Sequence, residues 1–392
     1  MKHRCYTCFK ILLGILIASL VGLFFLIRYL ECNPIFMGGG PSYRPERCTA
    51  KERAESEKLK KEYKMDVMQQ LAALEFSCVH EERPPISEEI QQLYNYALYQ
   101  DLHKMWTGKA GDWNELLPYY RIAAANGDYK ANVRLQYLLE TNRALTSTSY
   151  DEVHSLNKQL ASQLPATAYY KLYGHLDIGF GVTTKEKDGK YAYLRKAADL
   201  GSREAQYVVA EMLENIEDEN ESKEVFEYRL KLAEQLLQCA SEQGLGAASK
   251  SLALGFKIDK RYSEAVRAFH QGVKNGSSSS AHRLAYGFDG KRKNDGEDID
   301  FLNLPEDIER SVRYKMIQNY LSAKDYLQPK VPDLDEIVPL PPAKLPPWDG
   351  KIAFQRWFEG PSPQKPSDEL MQKLAENAGL DWQTGLPLKE KK

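Results

Sequence analysis

The stretch YLRKAADLGSREAQYVVAEML, Tyr193–Leu213, reads as two helices around Gly201, with its smallest residues, Ala197, Ala198 and Ala205, at fixed distances from that glycine. Three further stretches share the frame: RIAAANGDYKANVRL (Arg121–Leu135), QCASEQGLGAASKSL (Gln238–Leu252) and HQGVKNGSSSSAHRL (His270–Leu284). Aligned on Gly127, Gly201, Gly244 and Gly276, they carry Ala123, Ala197, Ala240 and Gly272 four residues earlier. Four residues later stand Ala131, Ala205, Ala248 and Ser280, and eight later Leu135, Val209, Leu252 and Leu284.

A helix ends well on a glycine, which adopts positive φ without a Cβ clash. Small residues one turn before and after it let two antiparallel helices approach closely, and the aliphatic residue a turn later fills the space between neighbouring hairpins. A bulky residue at the close-approach positions would overpack them at a cost of about 1–3 kcal/mol. The frame therefore predicts a repeat array of helical hairpins. The glycine spacings are 74, 43 and 32 residues. The first fits two units, which places a degenerate repeat between Gly127 and Gly201; its second half is AYYKLYGHLDIGFGV, Ala168–Val182. The acidic loop IEDENESKE, Ile216–Glu224, reads as an insertion.

Ala168-Tyr-Tyr-Lys-Leu followed by Gly179-Phe-Gly181-Val182, and then Tyr193–Leu213, resembles Sel-1-like repeats. The match extends more loosely over Tyr119–Leu139 and Leu236–Gly290, where Gly272 and Val273 replace an alanine pair. The resemblance implies an all-α fold, an α-solenoid of antiparallel hairpins of the Sel-1/TPR kind, used for binding and not for catalysis.

The tail carries a second resemblance. Ten of the nineteen prolines fall in residues 329–366, which predicts extended polyproline conformation. Lys365–Leu388, KPSDELMQKLAENAGLDWQTGLPL, then offers Ser367 as an N-cap and Gly379 as a helix stop. This tail is similar to the C-terminal segment of a bacterial family of anchored Sel-1-like proteins, often immunity proteins beside type VI secretion phospholipase effectors. That resemblance implies a secreted phospholipase-type effector as the protein partner.

At the other end, Ile11–Ile27 are seventeen consecutive uncharged residues between Lys10 and Arg28. That is just enough to span a thin or tilted bilayer core as a helix. No A-x-A-like cleavage site follows, so we expect an uncleaved single-pass inner-membrane anchor. The basic tail would be cytoplasmic and the long C-terminal part periplasmic. The organisation expected is 1–10 cytoplasmic tail, 11–30 anchor, 31–48 flexible spacer and 49–112 N-terminal helices. The repeats would follow at 113–290, capping helices at 291–328, and the Pro-rich segment with a final helix at 329–392.

Chemistry is sparse. The chain of 392 residues carries a formal net charge of −2, and residues 1–30 hold four Lys/Arg and no acid, so the remainder is more acidic still. Nucleic-acid binding wants the opposite. No nucleophile elbow, zinc-protease helix or phosphate loop is present, and we expect no enzyme, cofactor or metal site. Gly179 and Gly181 read as a hairpin turn. The seven histidines are scattered; His270 and His282, twelve apart across a turn, lack a third ligand. Of the cysteines, Cys48 and Cys78 form the plausible local bridge. Twenty-four tyrosines offer both core and a recognition face. Two functions fit: a membrane-anchored immunity protein that covers a phospholipase-type effector, or an envelope scaffold using the same surface for a resident partner.

Overall fold

The computed structural model describes residues 48–55, 57, 58, 61, 62, 75–185, 188–217, 221–291 and 298–388. The expected anchor at 11–30, the tail before it and most of the spacer lie outside these residues, as does much of the expected helix over 49–74. Among the described residues no helix is long and apolar enough to cross a membrane, and none belongs to a β-sheet. The chain divides into two units, one formed by Met1–Phe76 with Met212–Ala233, the other by Ser77–Glu211 with Glu234–Lys392.

The larger unit is built of helices α1 (Glu88–Lys104), α2 (Leu117–Ala125), α3 (Tyr129–Glu140), α4 (Ser149–Leu160), α5 (Pro165–Ile178) and α6 (Lys190–Asp199). α7 (Arg203–Glu214) and α8 (Lys223–Glu242) pass between the units, and α9 (Gly246–Ile258), α10 (Tyr262–Lys274) and α11 (Ser278–Gly287) follow. Then come α12 (Ile308–Ala323), two short helices α13 (Leu334–Ile337) and α14 (Ala353–Phe358), and α15 (Asp368–Asn377). From α1 to α6 and from α9 to α12, each helix packs on the next in sequence. This all-helical packing is consistent with an α-solenoid.

The four glycines make one turn four times. Gly127, Gly201, Gly244 and Gly276 have φ of 98°, 103°, 89° and 91°. Each donates its N–H to the carbonyl three residues back, and the residue after it donates to the carbonyl of Ala123, Ala197, Ala240 or Gly272. This is the Schellman pairing, which satisfies carbonyls that a helix end leaves orphaned. Three of the residues that close the turn also cap the next helix: Asp128, Ser202 and Ser277 accept from backbone N–H groups of α3, α7 and α11. The small residues face one another across the turn. Ala123, Ala131, Ala197, Ala205, Ala240 and Ala248 are fully buried, and Ala198 nearly so. A Cβ added at Gly272 would stand 2.9 Å from the Cβ of Ser280, so where the frame holds Gly in place of Ala, the facing position has grown to Ser. The degenerate repeat is the α4–α5 hairpin; its turn at Ser162–Leu164 carries no glycine.

Two extended segments cross these turns. At Gly201 a Cβ would meet the Glu81 nitrogen at 2.7 Å and the Val79 oxygen at 2.9 Å; at Gly276 it would meet the Pro329 oxygen at 2.3 Å. The first strap is held by a disulfide. Cys78 pairs with Cys239, not with Cys48 as expected from sequence, and Cys48 is itself disulfide-bonded elsewhere. The local pairing fails because residues 77–83 run over the α6–α7 and α8–α9 turns, where Val79 O accepts from Gln206 Nε2 at 3.1 Å.

The Pro-rich tail is draped and not free. Arg310 and Arg313 on α12 bond the carbonyls of Pro339 and Ile337. Asp335 bonds His270 Nε2 at 2.7 Å, and Tyr314 donates to His270 Nδ1 at 2.7 Å. The chain then returns to the first hairpins. Tyr99 donates to Gly360 O, Asn126 to Leu374 O and Arg121 to Thr384 O. Met371, Leu374 and Ala375 of α15 complete the core formed by α1–α4. Trp382 packs on that core, Trp357 meets the Tyr99 ring edge-on at 5.7 Å, and Trp348 lies under the Arg313 guanidinium.

In the smaller unit Arg229 is buried and bonds Ile216 and Glu221: its guanidinium donates to Ile216 O at 3.0 Å and pairs with Glu221 at 2.6 and 2.8 Å.

Gly201→Ala strains a left-handed backbone and collides with the strap, and is expected to destabilise by about 1–3 kcal/mol. Gly174→Ala, inside α5 with nothing within 4 Å of the added carbon, should instead stabilise by about 0.4–1 kcal/mol. Urea unfolding of the two variants checks the contrast; equal midpoints would contradict it.

Candidate functional site

The second helices of three successive hairpins, α3, α5 and α7, line one cleft of about 560 Å³ in the larger unit. That volume is in the range of ligand sites, roughly 300–1,000 Å³. α3 contributes Tyr129, Lys130, Val133, Arg134 and Tyr137, positions that share one helical face. α5 contributes Thr167, Tyr170 and Lys171; the Gly201 turn contributes Ser202, Arg203 and Glu204. The strap adds Glu81 and Arg83, α1 adds Tyr94, and Gln243 with Tyr326–Gln328 closes the remaining side.

Most charged groups here are fixed by a partner. Asp101 is fully buried behind the cleft and accepts from Trp113 Nε1 at 2.8 Å and Tyr120 Oη at 2.7 Å. It also accepts from Arg134 through Nε and Nη2 at 2.6 and 2.8 Å. Burial alone would lower the Arg134 pKa, but the hydrogen bonds and charge of Asp101 raise it, so the guanidinium stays charged. Glu140 accepts from Lys171 and His175, both at 2.9 Å. Burial would push its carboxyl up, yet His175 and Lys171 together hold it below the usual range. Arg203 pairs with Glu204 and donates to Gln243 O. Glu81 accepts from the backbone N–H groups of Ala166 and Thr167 and so caps α5, which has no cap of its own. The hydroxyls of Tyr94 and Tyr170 are pushed up by burial, with Asp128 and Glu204 adding to it, and remain proton donors.

Lys330 stands beside this group on the second strap and donates to Gly244 O at 2.9 Å. The residue as a whole is exposed, but its ammonium is desolvated and feels Arg203 and Arg83, which brings its pKa down to about 8.

The residues singled out from sequence mostly build this site and do not line it. Of the turn glycines only Gly201 reaches the cleft. Gly179 and Gly181 end α5 with φ of 69° and 67°, and Phe180 between them packs on the rings of Tyr150 and His175. His270 and His282 take separate partners: His270 bonds Tyr314 and Asp335, and His282 lies tilted against the Tyr286 ring and within 3.9 Å of Asp300. The ligand atoms of Cys78, His80 and Cys239 lie within 4.8 Å of one another, but both sulfurs belong to the disulfide. Of the tyrosines, Tyr94 and Tyr170 face the cleft while Tyr120 is fully buried. Sequence reasoning missed Glu81, Arg83 and Lys330. Their signal was their setting: charged residues in short segments next to prolines, Pro84–Pro85 and Pro329.

The profile of a family described as a domain of unknown function (DUF6396) matches residues 280–388, from α11 through the returning tail. Among solved structures the chain is similar to immunity protein PA5088 from Pseudomonas aeruginosa, with 19% identity over 68% of this chain and 94% of that one and a TM-score of 0.49. It is similar to immunity protein Pa5087 from the same organism at 20% identity, over 68% and 95%, with a TM-score of 0.47. A Sel1 repeat protein from Oxalobacter formigenes has 16% identity over 64% and 74%, with a TM-score of 0.31. No curated protein matches the chain significantly.

Asp101→Ala would leave Arg134 as an uncompensated buried charge and strip acceptors from Trp113 and Tyr120. Loss of about 3–5 kcal/mol is expected, and a urea midpoint equal to that of the parent would refute this account of the network. For Lys330 the folded pKa lies below its ordinary 10.5, so the unfolded chain binds the extra proton between about pH 8 and 10.5. This group's contribution to stability therefore rises as pH rises through that window. Melting temperatures of the parent minus those of Lys330→Met should increase from pH 8 to 10.5; a flat or falling difference contradicts the burial of the ammonium.

Proposed function

We propose that this chain is a non-catalytic binding protein that neutralises a secreted phospholipase-type effector by covering its working surface. In this reading residues 11–30 hold it at the inner membrane and the remainder works in the periplasm. The observation that carries the binding role is the cleft, where tyrosines and arginines, the residue types that anchor protein interfaces, are gathered on three successive hairpins. Its charged groups are fixed to structural partners: Arg134 to Asp101, Lys171 to Glu140, Glu81 to the start of α5. Groups held this way suit recognition better than proton transfer, which needs a titratable group free to reach its substrate. The effector class follows from the resemblance of the tail, GLDWQTGLP at Gly379–Pro387, to anchored Sel-1-like immunity proteins. The Cys78–Cys239 bridge supports an oxidising compartment.

Cells lacking this gene should lose viability when mixed with effector-producing siblings, and regain it when the full chain is restored. Survival of the deletion strain at the level of its parent would overturn the immunity reading.

A further inference from the structure

Two cations of the cleft, Arg83 and Lys130, stand outside the ion pairs formed among the described residues, although Lys130 also acts on the buried Asp128 through its charge. Arg134, Lys171 and Arg203 each have a carboxylate, namely Asp101, Glu140 and Glu204. Arg83 and Lys130 are exposed, and among the described residues neither has a carboxylate oxygen within 4.0 Å. Lys130 instead sits 5.8 Å from the ring centroid of Tyr94. Both line the cleft, Arg83 from the strap and Lys130 from the first turn of α3. The lowered pKa of Lys330, caused after desolvation by Arg203 and Arg83, reports the same positive field from a third position. The chain as a whole has the opposite sign, with a formal net charge of −2. A local cationic excess in an acidic protein focuses attraction on an anionic group.

We propose that the cleft receives an extended acidic segment of the partner protein, its side-chain carboxylates paired with Arg83 and Lys130 and its chain lying over Tyr94 and Tyr170. The excess is small and is interleaved with Glu81 and Glu204. That spacing suits the sparse carboxylates of a peptide better than the dense charge of a nucleic acid, which calls for a continuous basic patch or stripe. Tyr94 and Tyr170 supply rigid apolar area, and their protonated hydroxyls donate to peptide carbonyls. Because a disulfide and the Glu81 cap fix the strap that carries Arg83, that cation is placed before the partner arrives.

This inference rests on the cleft docking a protein, and it can fail separately from the immunity reading. The probe is a dye-labelled ten-residue peptide of Glu, Asp, Gly and Ser, with a matched peptide carrying Lys at every acidic position. Fluorescence anisotropy with the full chain in mild detergent should show binding of the acidic peptide only. Binding should weaken as ionic strength rises from about 0.01 M to about 0.15 M, where the Debye length falls from roughly 30 Å to 8 Å. Arg83→Gln and Lys130→Gln should each reduce affinity about tenfold, a change of about 1.4 kcal/mol. The doubly reversed variant, Arg83→Glu with Lys130→Glu, should bind the lysine peptide instead, with an unchanged circular-dichroism melt showing that it is folded. Equal binding of the two peptides, survival of acidic-peptide binding in the reversed variant, or tighter binding of a single-stranded oligonucleotide of equal charge would each overturn the proposal. In the cell assay, loss of protection by the reversed variant supports it, and full protection overturns it; a deletion strain that needs no protection bears on the immunity reading alone.

Discussion

Four of the hairpins in the larger unit, and the straps that cross two of them, depend on how closely two backbones can approach at a glycine turn. The turn puts the residue four before the glycine at the third-last helical position, where its carbonyl takes the closing hydrogen bond, and its side chain faces the residue four after the glycine. Alanine, serine or glycine at both places lets the helices meet, and this fixes the pairs Ala197–Ala205 and Gly272–Ser280. The same glycine leaves its outer side without a Cβ. At Gly201 and Gly276 that free side is where residues 77–83 and 328–331 cross. Glycines that the sequence assigns to hairpin closure thus also admit the two straps, which deliver Glu81 and Arg83 to the cleft and Lys330 beside it. Any side chain at Gly201 strains the turn and displaces the strap together, so the two functions of that position cannot be separated by mutation.

This explains which parts of the molecule were legible in the sequence. The turn frame was, because each turn is written within eight residues by local sterics. So were the cap at Ser367, whose side chain accepts from Leu370 N–H, and the stop at Gly379 with φ of 67°. These are short-range effects of backbone geometry. The disulfide was not legible: Cys78 and Cys239 are separated by 161 residues, and nothing near either indicates the other. The course of the tail was half legible. Proline content announced an extended segment, but its landing places are the arginines of α12 and the α1–α4 core, set by tertiary contacts. The cleft was hidden for the same reason. Tyr94, Lys130, Tyr170 and Arg203 stand in four different helices, and their convergence follows from stacking, not from spacing within any one motif.

The buried charges show a common logic. Asp101 with Arg134, Glu140 with Lys171 and His175, and Arg229 with Glu221 each join an ionised group to at least two hydrogen-bonding partners. Buried pairs contribute little net stability compared with apolar packing, but breaking one is costly. Their value here is positional. Asp101 ties α1 to α2, α3 and the segment before α2 through Tyr120, Arg134 and Trp113, so the face of α3 that enters the cleft cannot rotate without leaving a buried carboxylate unpaired. Glu140 does the same for α3 against α5.

The returning tail extends this control from single helices to the whole unit. Residues 329–343 are bound by α10 and α12, while Gly360, Leu374 and Thr384 accept hydrogen bonds from α1 and α2. In a stack where each hairpin contacts only its neighbours, small rotations accumulate from one end to the other. A segment bonded to both the early and the late helices opposes that accumulation, because bending the stack must stretch it or break its contacts. The cleft lies among α3, α5 and α7, between the two sets of attachment points along the chain. The tail therefore acts with the hairpins in opposing changes in its width. On this view the tail acts as a brace for the cleft.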